Sequence, residues 1–432
     1  MKHLALSVAA LSLAACLGAP AHAKDDLTYK VVHGDTLIGI ANKYLIRAGD
    51  YRVVQKQNRI TDPKAIPVGT ILKLPRSLLK FQPASARLSS IKGQVTAIIG
   101  GTSKTVANGA SLTEGQSLKT AGGSFASLLL EDGSRVSVPS NTEIKVVRLR
   151  RYILDSALDY DFQVDRGSAR SKVAPLKSSN DRYQVRTPKA VSAVRGTDFQ
   201  TRFDDQSNRD FAEVDEGALA VGVQDGKELA VPAGNGLAVN ADGSTLAEAL
   251  LPPLDIAGAG RLQNQPTVRF ALDAASGVSR VRASIAKDAS FAEQIADIVV
   301  AGDSADFGAL EDGNYFFRAR AISANGFEGL ASTYAFKRRL NTVSGTAGAT
   351  DDGWTFKWSG EGKGTIRYNF QLFRGSTDGV AMVDETGLAA HQIILSELPN
   401  GDYYWRIGTV QYADGETNTN WTPFEKIIVA TN

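Results

Sequence analysis

The spacing of apolar positions changes along the chain, and each change predicts a different kind of element. Leu37, Ile40, Ala41 and Tyr44 fall three and four residues apart, which makes one stripe of a helix behind Asp35 or Thr36 as N-cap. Tyr51–Gln57 predicts a second helix, and the flanking runs Tyr29–Val32 and Thr70–Leu74 predict strands, giving a βααβ order. The segment Pro75–Ala86, with Pro75 and Pro83 among polar residues, predicts a linker. From Ala86 onward, short alternating runs separated by Gly, Asp-Gly and Asn-Gly predict strands, as in Ala126–Leu130, Arg135–Val138 and Glu143–Val147. Beyond Pro252 the pattern repeats: Leu310, Gly313, Tyr315, Phe316 and Arg318 recur 88 residues later as Leu398, Gly401, Tyr403, Tyr404 and Arg406. That period predicts two copies of a small β-sandwich. In the first copy Tyr315, Phe317, Ala319 and Ala321 are expected on one strand face, with Phe316, Arg318 and Arg320 on the other.

Composition agrees with a mostly β protein, since 41 glycines accompany 43% hydrophobic residues in 432. Lys2 and His3 precede an apolar run from Leu4 to Leu17, then Gly18, Pro20 and Ala21-His22-Ala23, the layout of a secretory signal peptide over residues 1–23. The run is shorter than the about 20 residues that cross a bilayer. Two cleavage sites compete, one after Ala23 and one before Cys16, because Leu13-Ala14-Ala15-Cys16 resembles a lipobox. The expected location is therefore periplasmic, with membrane attachment only through a lipid on Cys16. Cleavage after Ala23 removes the one cysteine, so packing alone must stabilise the exported chain. A formal charge of +2 gives no electrostatic reason to expect nucleic acid as a partner.

Three resemblances refine this picture. The stretch from Tyr29 through His33-Gly34-Asp35-Thr36-Leu37 to Ala41, continued by Asn58, Ile60, Asp62-Pro63 and Ile66-Pro67-Val68-Gly69-Thr70, resembles a lysin motif (LysM) over residues 29–75. Leu45 departs from the small residue that this family places after its tyrosine. The resemblance implies a module that grips N-acetylglucosamine-containing glycan, hence peptidoglycan as partner. Leu112–Thr120 and Ala126–Ser134 resemble the first half of a FecR-type domain; Thr187–Phe199 and Val214–Val221 resemble its second half. That likeness, over residues 88–240, implies a twisted, solenoid-like stack of strands. Regulators of this family carry an anti-sigma segment and a membrane helix ahead of the domain, which this sequence does not show. The block Asp312–Ala321 is similar to the late strands of fibronectin type III modules. The expected fold is multidomain and mainly β: a βααβ LysM module at 27–76, a linker at 77–87, a FecR-type β domain at 88–240, and sandwiches at 255–340 and 343–430.

For glycan, the LysM resemblance implies a shallow groove between the loops at 34–37 and 58–69, in which backbone groups of Gly34, Asp35, Thr36 and Asn58 meet the acetamido group. Leu37, Ile60 and Ile66 would supply an apolar floor. Capping alone also accounts for Asp35 and Thr36, and core packing for Leu37 and Ile66. In the FecR-like part, Arg195-Gly196-Thr197 reads as a turn before it reads as a partner surface. Arg148-Leu149-Arg150-Arg151 reads as a solvated strand edge before a lipid-headgroup or anionic-polymer site, and Asp159 with Asp161, like Asp204-Asp205, as surface charge. Trp354, Trp358, Trp405 and Trp421 are expected in the core before a ligand face. Only His33 and His391 follow the signal, without a zinc motif, a phosphate loop or a Gly-x-Ser-x-Gly elbow, so no enzyme and no cofactor is expected. The sequence thus predicts a non-enzymatic envelope scaffold that binds peptidoglycan and presents its other domains to an envelope protein partner; the runner-up is a periplasmic sensor or regulator that relays an envelope signal to a membrane partner.

Overall fold

A computed structural model describes residues 26–194, 196–223, 226–256, 261–272 and 277–430. The signal region, Cys16 and Arg195 lie outside the described residues. The fold is multidomain and mainly β, with 57% strand and 5% helix. The chain divides into two compact units, one ending at Ala249 and one beginning at Leu250.

The first unit opens with the expected βααβ module. Strand β1 (Asp26–Lys30) pairs antiparallel with β2 (Ile71–Pro75), from Asp26 opposite Pro75 to Lys30 opposite Ile71. Helix α1 (Leu37–Tyr44) starts where predicted, with Thr36 and not Asp35 as the cap: Thr36 Oγ1 accepts from the Gly39 N–H at 3.0 Å. Its stripe of Leu37, Ile40, Ala41 and Tyr44 packs with Leu27, Val31, Val54 and Leu72. Helix α2 (Tyr51–Gln57) ends at Asn58, and Arg59 takes the left-handed conformation at φ 53°. The Ile60 N–H then reaches Gln55 O at 3.0 Å and the Arg59 N–H reaches Lys56 O at 3.2 Å, which satisfies two terminal carbonyls.

The expected linker after Pro75 is instead structured. Leu79 is fully buried and bridges Leu45, while the Ile46 N–H donates to Leu78 O at 2.8 Å and the Lys80 N–H to Tyr44 O at 2.7 Å. Phe81–Pro83 then forms a strand against Arg150–Tyr152. Proline was a poor guide here because the segment's apolar residues, not its breakers, decide its fate. Leu45, the departure from family pattern, is the residue that docks on Leu79. Tyr152, at the end of a strand of the next domain, and Ala157, just beyond the turn that follows, complete the module's core.

That next domain consists of two sheets that share one long strand, Leu158–Lys172. Its first part, through Arg166, pairs with Glu143–Arg151 in one sheet; its second part, Gly167–Lys172, pairs with Asp198–Phe203 in the other. Gly167 makes the crossing with φ +77°, and a Cβ there would meet Thr142 Oγ1 at 2.4 Å. Beyond it, hairpins alternate between sheets: residues 182–194, then 198–216, then 218–232, then 235–249. The first two pair with the long strand, and the last two with the earlier hairpin of their own sheet, Ala190–Val194 with Ala218–Val223 and Asp210–Val214 with Asn235–Val239. This winding is the expected solenoid-like stack. Leu118, Ile144, Phe162 and Val185 from one sheet meet Leu128, Val136, Phe199 and Val214 from the other in one core.

The second unit holds two sandwiches. In the first, Leu262–Gln263, Glu328–Arg338, Gly313–Ser323, Val278–Ala286 and Gln294–Val300 form a five-stranded sheet over a two-stranded one. The alternation along its central strand is as predicted, with Tyr315, Phe317, Ala319 and Ala321 all in the core. In the second, strands 365–374, 383–388, 401–413, 416–421 and 425–429 cover a three-stranded sheet. The sequence repeat is a structural one: Tyr315 Oη donates to Glu311 O at 3.0 Å and Tyr403 Oη to Pro399 O at 2.7 Å, the same four-residue corner in both copies. Trp358 and Trp405 are core residues and Trp354 packs against them, while Trp421 lies under the Arg406 guanidinium at 4.4 Å. At the junction, Asn341 is 1% exposed. Its Nδ2 donates to Asn418 O at 3.1 Å, its Oδ1 accepts from Thr409 Oγ1 at 2.6 Å, and its N–H donates to Asn264 O at 3.1 Å.

Candidate functional site

Two surface loops of the βααβ module, residues 31–36 and 58–70, are laced together at their bases. The Val31 N–H donates to Thr70 O at 2.9 Å, the Gly69 N–H to Val31 O at 2.8 Å and the Leu37 N–H to Pro63 O at 2.8 Å. Above these bonds, Val32, His33, Gly34, Val68 and Gly69 are exposed. Gly34 turns the first loop with φ +89° and an open space where a Cβ would stand. Among the described residues, the N–H groups of His33, Gly34 and Thr36 have no intramolecular partner. They are therefore available to an acceptor outside the protein.

The predicted residues separate into two groups. Gly34, Asp35 and Thr36 line the first loop, and Asp35 is fixed there: its Oδ2 accepts from Tyr29 Oη at 2.9 Å and from the Val32 N–H at 2.8 Å. Partial burial, reinforced by Asp35, pushes the Tyr29 phenol up to about 12. Asn58 serves the fold, because Nδ2 donates to Val54 O and Lys73 O, both at 2.8 Å, and Oδ1 accepts from the Lys73 N–H at 2.7 Å. The side chains of Leu37 (1% exposed) and Ile66 (7%) belong to the core and offer no floor to a ligand; Ile60 is half-buried against that core. The floor expected from Leu37 and Ile66 is corrected accordingly, since both side chains are drawn into the small core, and Ile60 alone of the three keeps exposed apolar surface.

The FecR-like domain corrects two further expectations. Asp159 and Asp161 are wholly buried and not surface charges. Asp159 accepts from Arg182 Nε at 2.8 Å, Arg182 Nη2 at 2.6 Å and Tyr152 Oη at 2.9 Å. Asp161 is paired with Arg148 and, at 2.9 Å, with Arg186 Nε. Burial raises the Asp159 carboxyl, but Arg182, Arg148 and Tyr152 outweigh it and hold the group below the ordinary carboxylate range. The run Arg148–Arg151 is no solvated edge, since its strand has neighbours on both sides and each arginine has a carboxylate: Arg150 pairs with Glu114, and Arg151 with Glu131 at 3.0 Å. Both carboxylates are thus committed to arginines. The signal missed in the sequence was cross-strand: Arg148 stands opposite Asp161 and Arg150 opposite Asp159.

The remaining candidates are structural. Gly196 turns with φ +78°, and Thr197 Oγ1 donates to Ala218 O at 3.1 Å. His391 stacks edge-on against Tyr368 at 5.1 Å. Asp204 accepts from the Gln206 N–H at 3.1 Å within its own turn, and Asp205 pairs with Arg166 at 3.0 Å. Among the described residues no group of three or more His, Cys, Asp and Glu side chains can hold a metal ion. No helix among them is long and apolar enough to cross a membrane.

Comparison with known proteins places two domains. Residues 29–75 match the model of the LysM domain, and residues 116–227 match that of the FecR protein family. Neither is a family of enzymes. No curated protein matches the chain. Among solved structures, a candidate anti-sigma factor from Parabacteroides distasonis is 18% identical over 31% of this chain and 59% of its own, with a TM-score of 0.26. The chain thus spans less than two thirds of that structure. The fibronectin(III)-like modules of Clostridium thermocellum CbhA are 17% identical over 41% of this chain and 92% of their own, at a TM-score of 0.19. The FN1–FN3 domains of chicken CNTN1 are 11% identical over 56% and 95%, at 0.21.

Proposed function

We propose that this chain is a non-enzymatic periplasmic scaffold that holds peptidoglycan through its LysM module and presents a FecR-type domain and two fibronectin type III-like sandwiches to an envelope protein. The observation that carries the reading is the LysM match at 29–75, whose first loop leaves the N–H groups of His33, Gly34 and Thr36 without internal partners. An acetamido group offers a carbonyl acceptor, an amide donor and a methyl, so such N–H groups serve it without any charged side chain. Gly34, Asp35 and Thr36 act through their backbone, with Ile60 as the apolar contact; Asn58 holds the second loop in place. One shallow module binds weakly, and the repeated sugars of the polymer supply avidity. The paired tyrosine corners support the fibronectin-like reading of the sandwiches.

The full-length mature protein, incubated with purified sacculi and centrifuged, is expected in the pellet. Quantitative recovery in the supernatant would reject the wall-binding role. A second reading, a sensor that relays wall state to a membrane partner, is favoured by one observation: the LysM core includes Tyr152 and Ala157 of the FecR-type domain, a packed route from one to the other. Crosslinking in cells separates the readings, since a sensor requires a captured protein with its own membrane span.

A further inference from the structure

The charge of the chain is unevenly placed. Residues 26–80 hold ten lysines and arginines against four aspartates and no glutamate, whereas the whole chain holds 48 against 46. The contrast in pairing is sharper than the contrast in number. In the FecR-type domain arginines such as Arg148, Arg170 and Arg182 lie against carboxylates. In the LysM module Lys30, Lys56, Arg59 and Lys64 are exposed, and none has an ion-pair partner among the described residues. Its aspartates form no ion pair with these cations among the described residues. Asp35 is held by Tyr29 and the Val32 N–H, Asp26 accepts from Gln57 Nε2 at 2.7 Å, and Asp62 accepts from the Lys64 N–H at 2.8 Å.

The positions of the four cations relate them to the two loops. Lys30 ends β1 one residue before the first loop; Lys56 lies in the last turn of α2, Arg59 opens the second loop and Lys64 lies within it. A neutral acetamido sugar has no use for them. A glycan whose sugars carry carboxylate-bearing peptide stems does, because each stem places anions beside the gripped sugar.

We infer that the LysM module recognises the carboxylates of peptide-bearing wall glycan through Lys30, Lys56, Arg59 and Lys64, in addition to the acetamido sugar, and so prefers peptidoglycan to neutral N-acetylglucosamine polymers. This deepens the proposed glycan site and rests on it. The experiment uses the full-length mature protein and three probes: native sacculi, sacculi whose carboxylates have been converted to methylamides, and neutral N-acetylglucosamine oligomers. Raising salt from about 0.1 M to about 1 M shortens the Debye length from about 10 Å to about 3 Å. Affinity for native sacculi is expected to fall about tenfold over that range, as expected when exposed charges are screened. The Lys30→Gln, Lys56→Gln, Arg59→Gln, Lys64→Gln variant and the methylamide sacculi are each expected to show that loss at low salt, with little further salt dependence, while the variant binds the neutral oligomers as the parent does. Equal, salt-insensitive binding to native and methylamide sacculi overturns the inference and leaves the glycan site standing. Retention on anionic phospholipid vesicles as strong as on sacculi also overturns it, since it shows general anion adhesion. Binding to none of the three glycan probes rejects the site itself, and the inference with it.

Discussion

Tyr152 Oη donates to the Asp159 carboxylate at 2.9 Å, which joins the core of the LysM module to a buried arginine–carboxylate cluster. The Tyr152 ring closes the LysM core, with the Arg76 guanidinium 5.5 Å above it, whereas Asp159 anchors the arginine cluster of the FecR-type domain. The module and the domain behind it are therefore one cooperative body. Tyr152→Phe, which leaves a buried carboxylate one donor short, is expected to cost about 1–2 kcal/mol. Tyr152→Ala, which also opens a cavity, is expected to cost about 3–5 kcal/mol. Denaturant unfolding followed separately by probes in each part should give coincident transitions in the parent.

Asp159→Ala should be worse than its size suggests. It leaves Arg182 buried without its carboxylate, a loss of about 3–5 kcal/mol for a broken buried pair. Lys119→Ala, which removes an exposed partner of Glu143, should cost less than about 1 kcal/mol. If the two substitutions shift the unfolding midpoint equally, the cluster is not buried as described.

Alkaline pH acts on the same seam. Burial first, and then Asp159, push Tyr152 up to about 12, and Tyr29 is pushed to about the same value. A phenol whose folded pKa lies above its unfolded value of about 10 stabilises the fold fully below pH 10 and loses that contribution as pH rises through the folded value. Stability is thus expected to decline between pH 10 and 12, and Tyr152→Phe should flatten the decline. Asp159 works in the opposite direction: its carboxyl is held low, so its contribution is present above the ordinary carboxylate range and fades only as pH falls below it. A pH series of denaturant midpoints measures both limbs.

Asn341 is the corresponding residue of the second unit. Its amide and backbone bond to Thr409, Asn418 and Asn264, so Asn341→Ala strands several buried polar groups. A loss of about 1–3 kcal/mol is expected, with calorimetry resolving two sandwich transitions where the parent shows one.

The sequence announced its local elements well. The i, i+3, i+4 stripe at Leu37–Tyr44 and the Tyr315/Tyr403 repeat both arise from periodicity within one element, and both stand in the structure. What stayed hidden was tertiary. Leu45 and Leu79 are apart in sequence and meet only because the module docks, so Pro75–Ala86 read as a spacer. Asp159 and Asp161 read as surface charge because alternation places them opposite Tyr160 and Phe162, and nothing local reveals that arginines cover that second face. At the glycan loops, family pattern indicated the positions, but only the structure separates Asn58, spent on Val54 and Lys73, from Gly34 and Thr36, whose N–H groups remain unused.

The central claim is that those backbone groups grip an acetamido sugar, and competition on sacculi tests it most directly. Full-length protein bound to sacculi is predicted to be released by soluble N-acetylglucosamine oligomers of increasing length and not by glucosamine oligomers of the same length, which lack the acetyl carbonyl and methyl. Failure to bind sacculi at all, or equal release by both oligomers, would contradict it.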